Sequence, residues 1–242
     1  MPRLNASGRV LVAAITLAFL VGAYVRLQAE SDVHRPACSD NHCRQIKAFL
    51  KAHYCGQSPY GNGPDDGCLI KTPKEPRPGI DVIADFNCEW SDSKGAEQCF
   101  QHGQPSPAVR GVLTRDLRRL GLTHKASGNI YFKVWKSTLF RYSLAEAYYF
   151  RSLGGNIELC QVIVIIDSNS HSLVLRKLPF QKTDADVPAV TLWSPVDIVD
   201  VDGNGQFDVV LEGDAYEDHW LEVIAVHNGV PITIFSGLGY YL

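Results

Sequence analysis

Val196-Asp197-Ile198-Val199-Asp200-Val201-Asp202-Gly203-Asn204-Gly205-Gln206-Phe207-Asp208-Val209-Val210-Leu211-Glu212 sets an acidic, glycine-containing centre between two apolar runs. Both flanks are rich in β-branched residues and partly alternate, the pattern of strands rather than helices. The centre places side-chain oxygens at relative positions 1, 3, 5 and 9 (Asp200, Asp202, Asn204 and Asp208), with Gly205 at position 6. A hard cation such as Ca²⁺ takes about six to eight oxygen ligands at about 2.3–2.6 Å, and a tight loop of this spacing wraps them around one point. The backbone carbonyl of Gln206 can add one more. An EF-hand would need a helix on each side and a bidentate Glu at position 12, which is Leu211 here, with Glu212 one residue late. The loop therefore joins two strands. The competing reading is a turn that uses Asp, Asn and Gly for backbone reasons alone; four oxygen-bearing residues in register are more than a turn requires.

In this respect the segment resembles the calcium loops of FG-GAP and VCBS-type repeats, the integrin-like propeller modules, with their D-x-D-x-D/N-G-x-x-D pattern. Asp200, Asp202, Asn204, Gly205 and Asp208 fall on that pattern one for one. The resemblance is local, to residues 196–212. It implies a calcium site between strands, but a closed propeller needs about four to eight blades and the strand-rich part of this chain could make only two or three. No internal repeat is visible. The expectation is a calcium loop carried on a different sheet.

Around that loop the chain is strand-rich after residue 127. Ile130–Trp135 is one candidate strand. Cys160–Ile166 and Leu173–Lys177 predict a hairpin over Asp167-Ser168-Asn169-Ser170, and Trp220–Val226 and Val230–Phe235 another over His227-Asn228-Gly229. Arg141–Arg151 fits helix or strand. Two helices are readable. Asp40 or Asn41 caps a helix with Ile46, Phe49, Leu50 and Tyr54 on one face, ending at Cys55-Gly56. Ser106 caps the second, Pro107 takes its first turn, and Val109, Val112, Leu113, Leu117 and Leu120 make its stripe before Gly121. Short hairpins imply an antiparallel sheet, and two helices on one face make it α+β.

The N-terminus reads separately. Arg3 and Arg9 precede an apolar run from Val10 to Val25, with cleavage sites of small residues at Val21-Gly22-Ala23, inside the run, or Leu27-Gln28-Ala29, after it. That describes a signal peptide over residues 1–29, or a signal anchor if left uncleaved; the run of 16 residues, at about 1.5 Å each, is marginal for a ~30 Å hydrocarbon core. Everything downstream is expected to be exported: secreted, periplasmic, or anchored and facing outward. All seven cysteines lie after the run, six of them between Cys38 and Cys99. In an oxidising compartment that density reads as a disulfide framework over residues 30–105, a helix and loop region in which Ile80–Phe86 is the one clear strand. Cys88 with Cys99 is the pair expected; Cys160 is either the odd buried thiol or a backward partner. Zinc through His42, Cys43, His53 and Cys55 is the alternative, without a C-x₂-C pair to support it. Residues 106–242 then form the α+β domain with the calcium loop.

Charge excludes one class. Residues 1–29 hold three Arg and no acid, so the remainder carries 20 basic and 26 acidic residues, a net −6 against −3 for the whole chain. An acidic chain without clustered cations is a poor nucleic-acid binder. Arg110, Arg115, Arg118 and Arg119 share one helix and read as a solvated face. Gly61-Asn62-Gly63-Pro64-Asp65-Asp66-Gly67 is a turn region rather than a phosphate loop, since no Lys-Ser/Thr follows. No G-x-S-x-G is present.

These readings predict an exported, calcium-binding α+β protein with an N-terminal disulfide-rich region, acting as a binding module for a protein or surface ligand. Its metal residues are Asp200, Asp202, Asn204, Gln206 and Asp208. The alternative is an extracytoplasmic hydrolase with a site at Glu217, Asp218 and His219 beside the ion.

Overall fold

The computed structural model describes residues 40–56, 69–71, 78–91, 96–123, 130–140, 142–153, 156–184, 190–215 and 218–241. The expected leader, the Gly61–Gly67 turn region and Glu217 lie outside them. Among the described residues no helix is long and apolar enough to cross a membrane.

Helix α1 (Asn41–Tyr54) starts where Asp40 accepts the Cys43 N–H at 2.7 Å. It buries Ile46, Leu50 and Tyr54, one residue per turn along one face. Two short strands follow, β1 (Cys55–Gly56) and β2 (Leu69–Ile70), paired with each other. Helix α2 (Pro107–Arg119) is capped by Ser106, whose Oγ accepts the Val109 N–H, and buries Val112, Leu113 and Leu117. Its arginines Arg110, Arg115, Arg118 and Arg119 are exposed.

Ten longer strands complete the described elements: β3 (Ile80–Ser91), β4 (Ala96–Gly103), β5 (Ile130–Ser137), β6 (Ser143–Ser152), β7 (Asn156–Ile166), β8 (Ser172–Asp184), β9 (Leu192–Val199), β10 (Asp208–Ala215), β11 (Asp218–His227) and β12 (Val230–Tyr241). They form two antiparallel sheets, β4-β3-β5-β6-β7-β8 and β12-β11-β10-β9, with no closed barrel or propeller. The fold is α+β and mostly β. The segment that fitted helix or strand is strand β6. The hairpin at Asn228-Gly229 has positive φ at both residues (51° and 74°), the conformation a two-residue hairpin turn needs and Asn-Gly supplies.

The sequence predicts both helices on one sheet; instead each has its own. Helix α2 packs on β5, β6 and β7 through Phe132, Val134, Ala145, Ala147, Cys160 and Val162. Helix α1 packs on the smaller sheet through Val196, Val210, Leu221, Val223 and Phe235. The opposite faces of the sheets meet each other, Leu144, Ile163, Ile165 and Leu175 against Ile198, Val209, Leu211 and Ile224. The order of layers is helix, sheet, sheet, helix. Strand alternation alone sets this: on β6, odd-numbered Ala145, Ala147 and Tyr149 face α2, while Leu144, Glu146 and Tyr148 face the second sheet.

The span 30–105 also holds more regular structure than expected. It contributes two long strands, and β3 pairs with β5, so chain on both sides of residue 105 builds one sheet within one compact unit. Cys88 and Cys99, opposed in the β3–β4 hairpin, form the expected disulfide. Closing a loop of 11 residues restricts the unfolded chain enough to stabilise the hairpin by about 3 kcal/mol. Cys160 is free and fully buried, and burial pushes its thiol up to about 12, which makes it unreactive.

Candidate metal centre

Val199 and Asp208 face each other in the β9–β10 register, so residues 200–207 are a loop closed on a paired base. Backbone N–H groups aim its acids inward. Asp200 Oδ1 accepts from the Asn204 N–H (3.0 Å) and its Oδ2 from the Gly205 N–H (2.8 Å). Asp202 Oδ1 shares the Asn204 N–H at 3.0 Å. Gly205 holds φ at 82°, a left-handed conformation that side chains disfavour, and this lets its N–H turn back on Asp200. Asp208 enters from the first position of β10 and is 1% exposed.

One carboxylate oxygen from each of Asp200, Asp202 and Asp208 lies within 4.8 Å of the others. Three anions this close repel by on the order of 3 kcal/mol per pair at an effective dielectric of ~20. Asp208 shows the strain most. Its Oδ2 accepts the Val201 N–H at 3.0 Å, while Oδ1 is buried without a hydrogen-bond partner. Burial pushes its carboxyl up to about 6; the Val201 N–H pulls the other way, and the charges of Asp202 and Asp200 add to the rise. His42, in the first turn of α1, stands 3.7 Å from Asp202.

The donor set suits a hard divalent cation: three carboxylates, one with an oxygen that nothing else satisfies. Of the other predicted ligands, Asn204 is exposed; its Oδ1 accepts the Gln206 N–H at 2.7 Å and its Nδ2 donates to Asp202 Oδ2 at 2.9 Å. Asn204 would therefore ligate with the second lone pair of Oδ1. Gln206 is exposed as well, which leaves its backbone carbonyl as the expected ligand.

The second predicted site is not beside this loop. Asp218 and His219 pair with Ala215 and Asp214, at the far end of β10 from Asp208. Six residues of strand separate them from the cluster, about 20 Å. There His219 Nδ1 stands 3.6 Å from Asp214 and 3.8 Å from Glu212, and burial raises the Asp214 carboxyl. The zinc alternative loses its thiolates, since Cys43 and Cys55 are both disulfide-bonded.

Two features escaped sequence reading. His42 is 160 residues from Asp202 in the chain, and only the packing of α1 brings it near. Glu146, 2% exposed, faces the second sheet from the middle of β6. A period-two reading of Leu144-Ala145-Glu146-Ala147-Tyr148 would have put this acid on an apolar face and marked it. Beside the acidic loop, Gly205, Gln206 and Phe207 line a groove of about 590 Å³ together with Leu139, Phe140 and Tyr142. No protein-family model, curated protein or solved structure matches the chain.

Proposed function

We propose that residues 200–208 bind Ca²⁺ and that the protein is an exported, calcium-stabilised binding module. The observation that carries the reading is the buried, unpartnered Oδ1 of Asp208 in a cluster of three carboxylates. The ion's role is structural: it neutralises the cluster, fixes the β9–β10 connection and so fixes Gln206 and Phe207 in the wall of the groove. The ring of Phe207 lies tilted against Tyr142 at 4.8 Å and Phe140 at 5.6 Å, and Leu139 is 69% exposed. An apolar surface at the loop end of a sandwich suits a protein or surface ligand. Export is supported by the disulfides, which are rare in reducing compartments.

Asp218 and His219 do not line this groove.

Thermal melting with added Ca²⁺ tests the proposal. A hundredfold excess over Kd, which for an extracellular site falls near ~0.1–1 mM, should stabilise by about 2.7 kcal/mol. For a chain of this size that is about 5–10 °C. Asp200→Ala and Asp202→Ala should abolish the response, and Mg²⁺ should substitute poorly. An unchanged melting temperature at millimolar Ca²⁺ would reduce the loop to a turn.

A further inference from the structure

Between the inward face of the large sheet and strands β9 and β10 lies a second cavity, of about 250 Å³, lined by Phe86, Lys133, Glu146, Tyr148, Gln161 and Asp214 among others. Glu146 is 98% buried by its 2% exposure, and its two oxygens differ. Oε1 accepts from Gln161 Nε2 at 2.7 Å; Oε2 is buried and has no partner. Gln161 has nothing further to offer. Its Nε2 also donates to the Trp193 carbonyl at 2.6 Å, and its Oε1 accepts the Trp193 N–H at 3.0 Å, so the amide is locked in one orientation. Lys133 stands opposite Glu146 in the β5–β6 register, but its ammonium is engaged with Asp85 at 3.6 Å and lies over the ring of Phe86 at 5.5 Å.

A buried acceptor left open costs about 1–3 kcal/mol, more for a charged group. A structural role would need only the Oε1 bond, which a glutamine could also make. Glu146 is itself part of the cavity wall. We propose that this cavity binds a small primary amine as its ammonium, with the Glu146 carboxylate as the acceptor. The sign of the ligand follows from what is already engaged: Lys133 has Asp85 at 3.6 Å and Asp214 has His219 at 3.6 Å, which leaves the Glu146 carboxylate as the acceptor on the wall. Phe86 and Tyr148, stacked at 5.8 Å with 11° between their planes, give the ligand's carbon body an apolar side. The space equals about eight water volumes, enough for a head group and a few carbons. Burial pushes the Glu146 carboxyl up to about 7, with Lys133 and Gln161 drawing it down and Asp85 adding to the rise.

The probe is n-butylammonium chloride, exchanged for NaCl at constant ionic strength and followed by amide NMR of the folded protein. Saturable shifts are expected at Lys133, Tyr148, Gln161 and Ser194. Glu146→Gln should weaken binding about 10- to 100-fold, the worth of a charge-assisted bond. Ser194→Trp, at an exposed position on the cavity's rim, should block entry while leaving Glu146 intact. The neutral isostere n-butanol should bind much more weakly. Absence of saturable shifts, an equal response to n-butanol, or unchanged binding in Glu146→Gln would overturn the proposal and leave the cavity to water. Calcium has no part in this readout, so the outcome is independent of the metal loop.

Discussion

Asp208 and Glu146 are two answers to one problem. Each is almost fully buried, each spends one oxygen on a single donor, and each has a second oxygen with no partner. Their surroundings differ. Asp208 sits at a strand end, with two more carboxylates within 4.8 Å and backbone N–H groups holding those acids in place. Glu146 sits in mid-strand, with Leu144 and Tyr148 on its own face and a locked amide beside it. Burial raises both carboxyls, to about 6 and about 7. A lone acid can answer burial by taking a proton or one ammonium. Three converging acids cannot, because protonating one leaves two charges facing each other; a divalent cation answers all three at once. Burial alone therefore says little about what a carboxylate is for. The number of like charges beside it says more.

The largest effect that separates the two sites should be a pH dependence belonging to Glu146. Its carboxyl titrates near 7 when folded, against 4.5 ordinarily. Below about pH 4.5 folded and unfolded states both carry the proton, and nothing is lost. As pH rises the unfolded chain ionises first, so this contribution to stability falls until the folded carboxyl also ionises near pH 7. The loss is on the order of 3 kcal/mol. Urea unfolding at intervals from pH 5 to 8 should show wild type losing stability relative to Glu146→Gln by that amount; parallel profiles would mean the carboxyl is not perturbed.

Next in size is the calcium response, about 2.7 kcal/mol at a hundredfold excess over Kd. Asp208→Asn keeps an acceptor for the Val201 N–H and should lose this response, whereas Glu146→Gln should retain it in full. If both variants lose it, the two sites are not independent and the contrast between them fails. His42 should matter least. Its side chain is 52% exposed and 3.7 Å from Asp202, so His42→Ala should change stability by less than about 0.5 kcal/mol in calcium, read as a melting shift. A larger loss would make the first turn of α1 part of the metal centre.

The clustering of Asp200, Asp202 and Asp208 was legible in the sequence because all its parts are local: nine residues fix the spacing, and Gly205 fixes the turn. The helices were legible for the same reason, through Asp40, Ser106 and their apolar stripes. The division into two sheets was not. Strand β7 is buried on both faces, from Leu159 to Ile166, so alternation gives no sign of which partner each face meets. Ala145, Tyr148 and Tyr149 fit two periods, and only pairing with β5 and β7 makes them strand. Nearness in sequence also misled. Asp218 and His219 follow the loop closely in the chain, yet a strand climbs about 3.3 Å per residue and carries them away from it. Glu146 meets Gln161 across a register that no local pattern encodes.

Gln161 has a consequence outside the cavity. Strand β9 is the last of its sheet, and the N–H and carbonyl of Trp193 are both taken by one side-chain amide from the facing sheet. A free strand border is a template on which a neighbouring molecule can add its own strand and start an aggregate. At Trp193 that template is already filled, by a group fixed in the protein's interior and beyond the reach of a competing chain. The amide that steadies Glu146 thus also closes the border of the second sheet at Trp193.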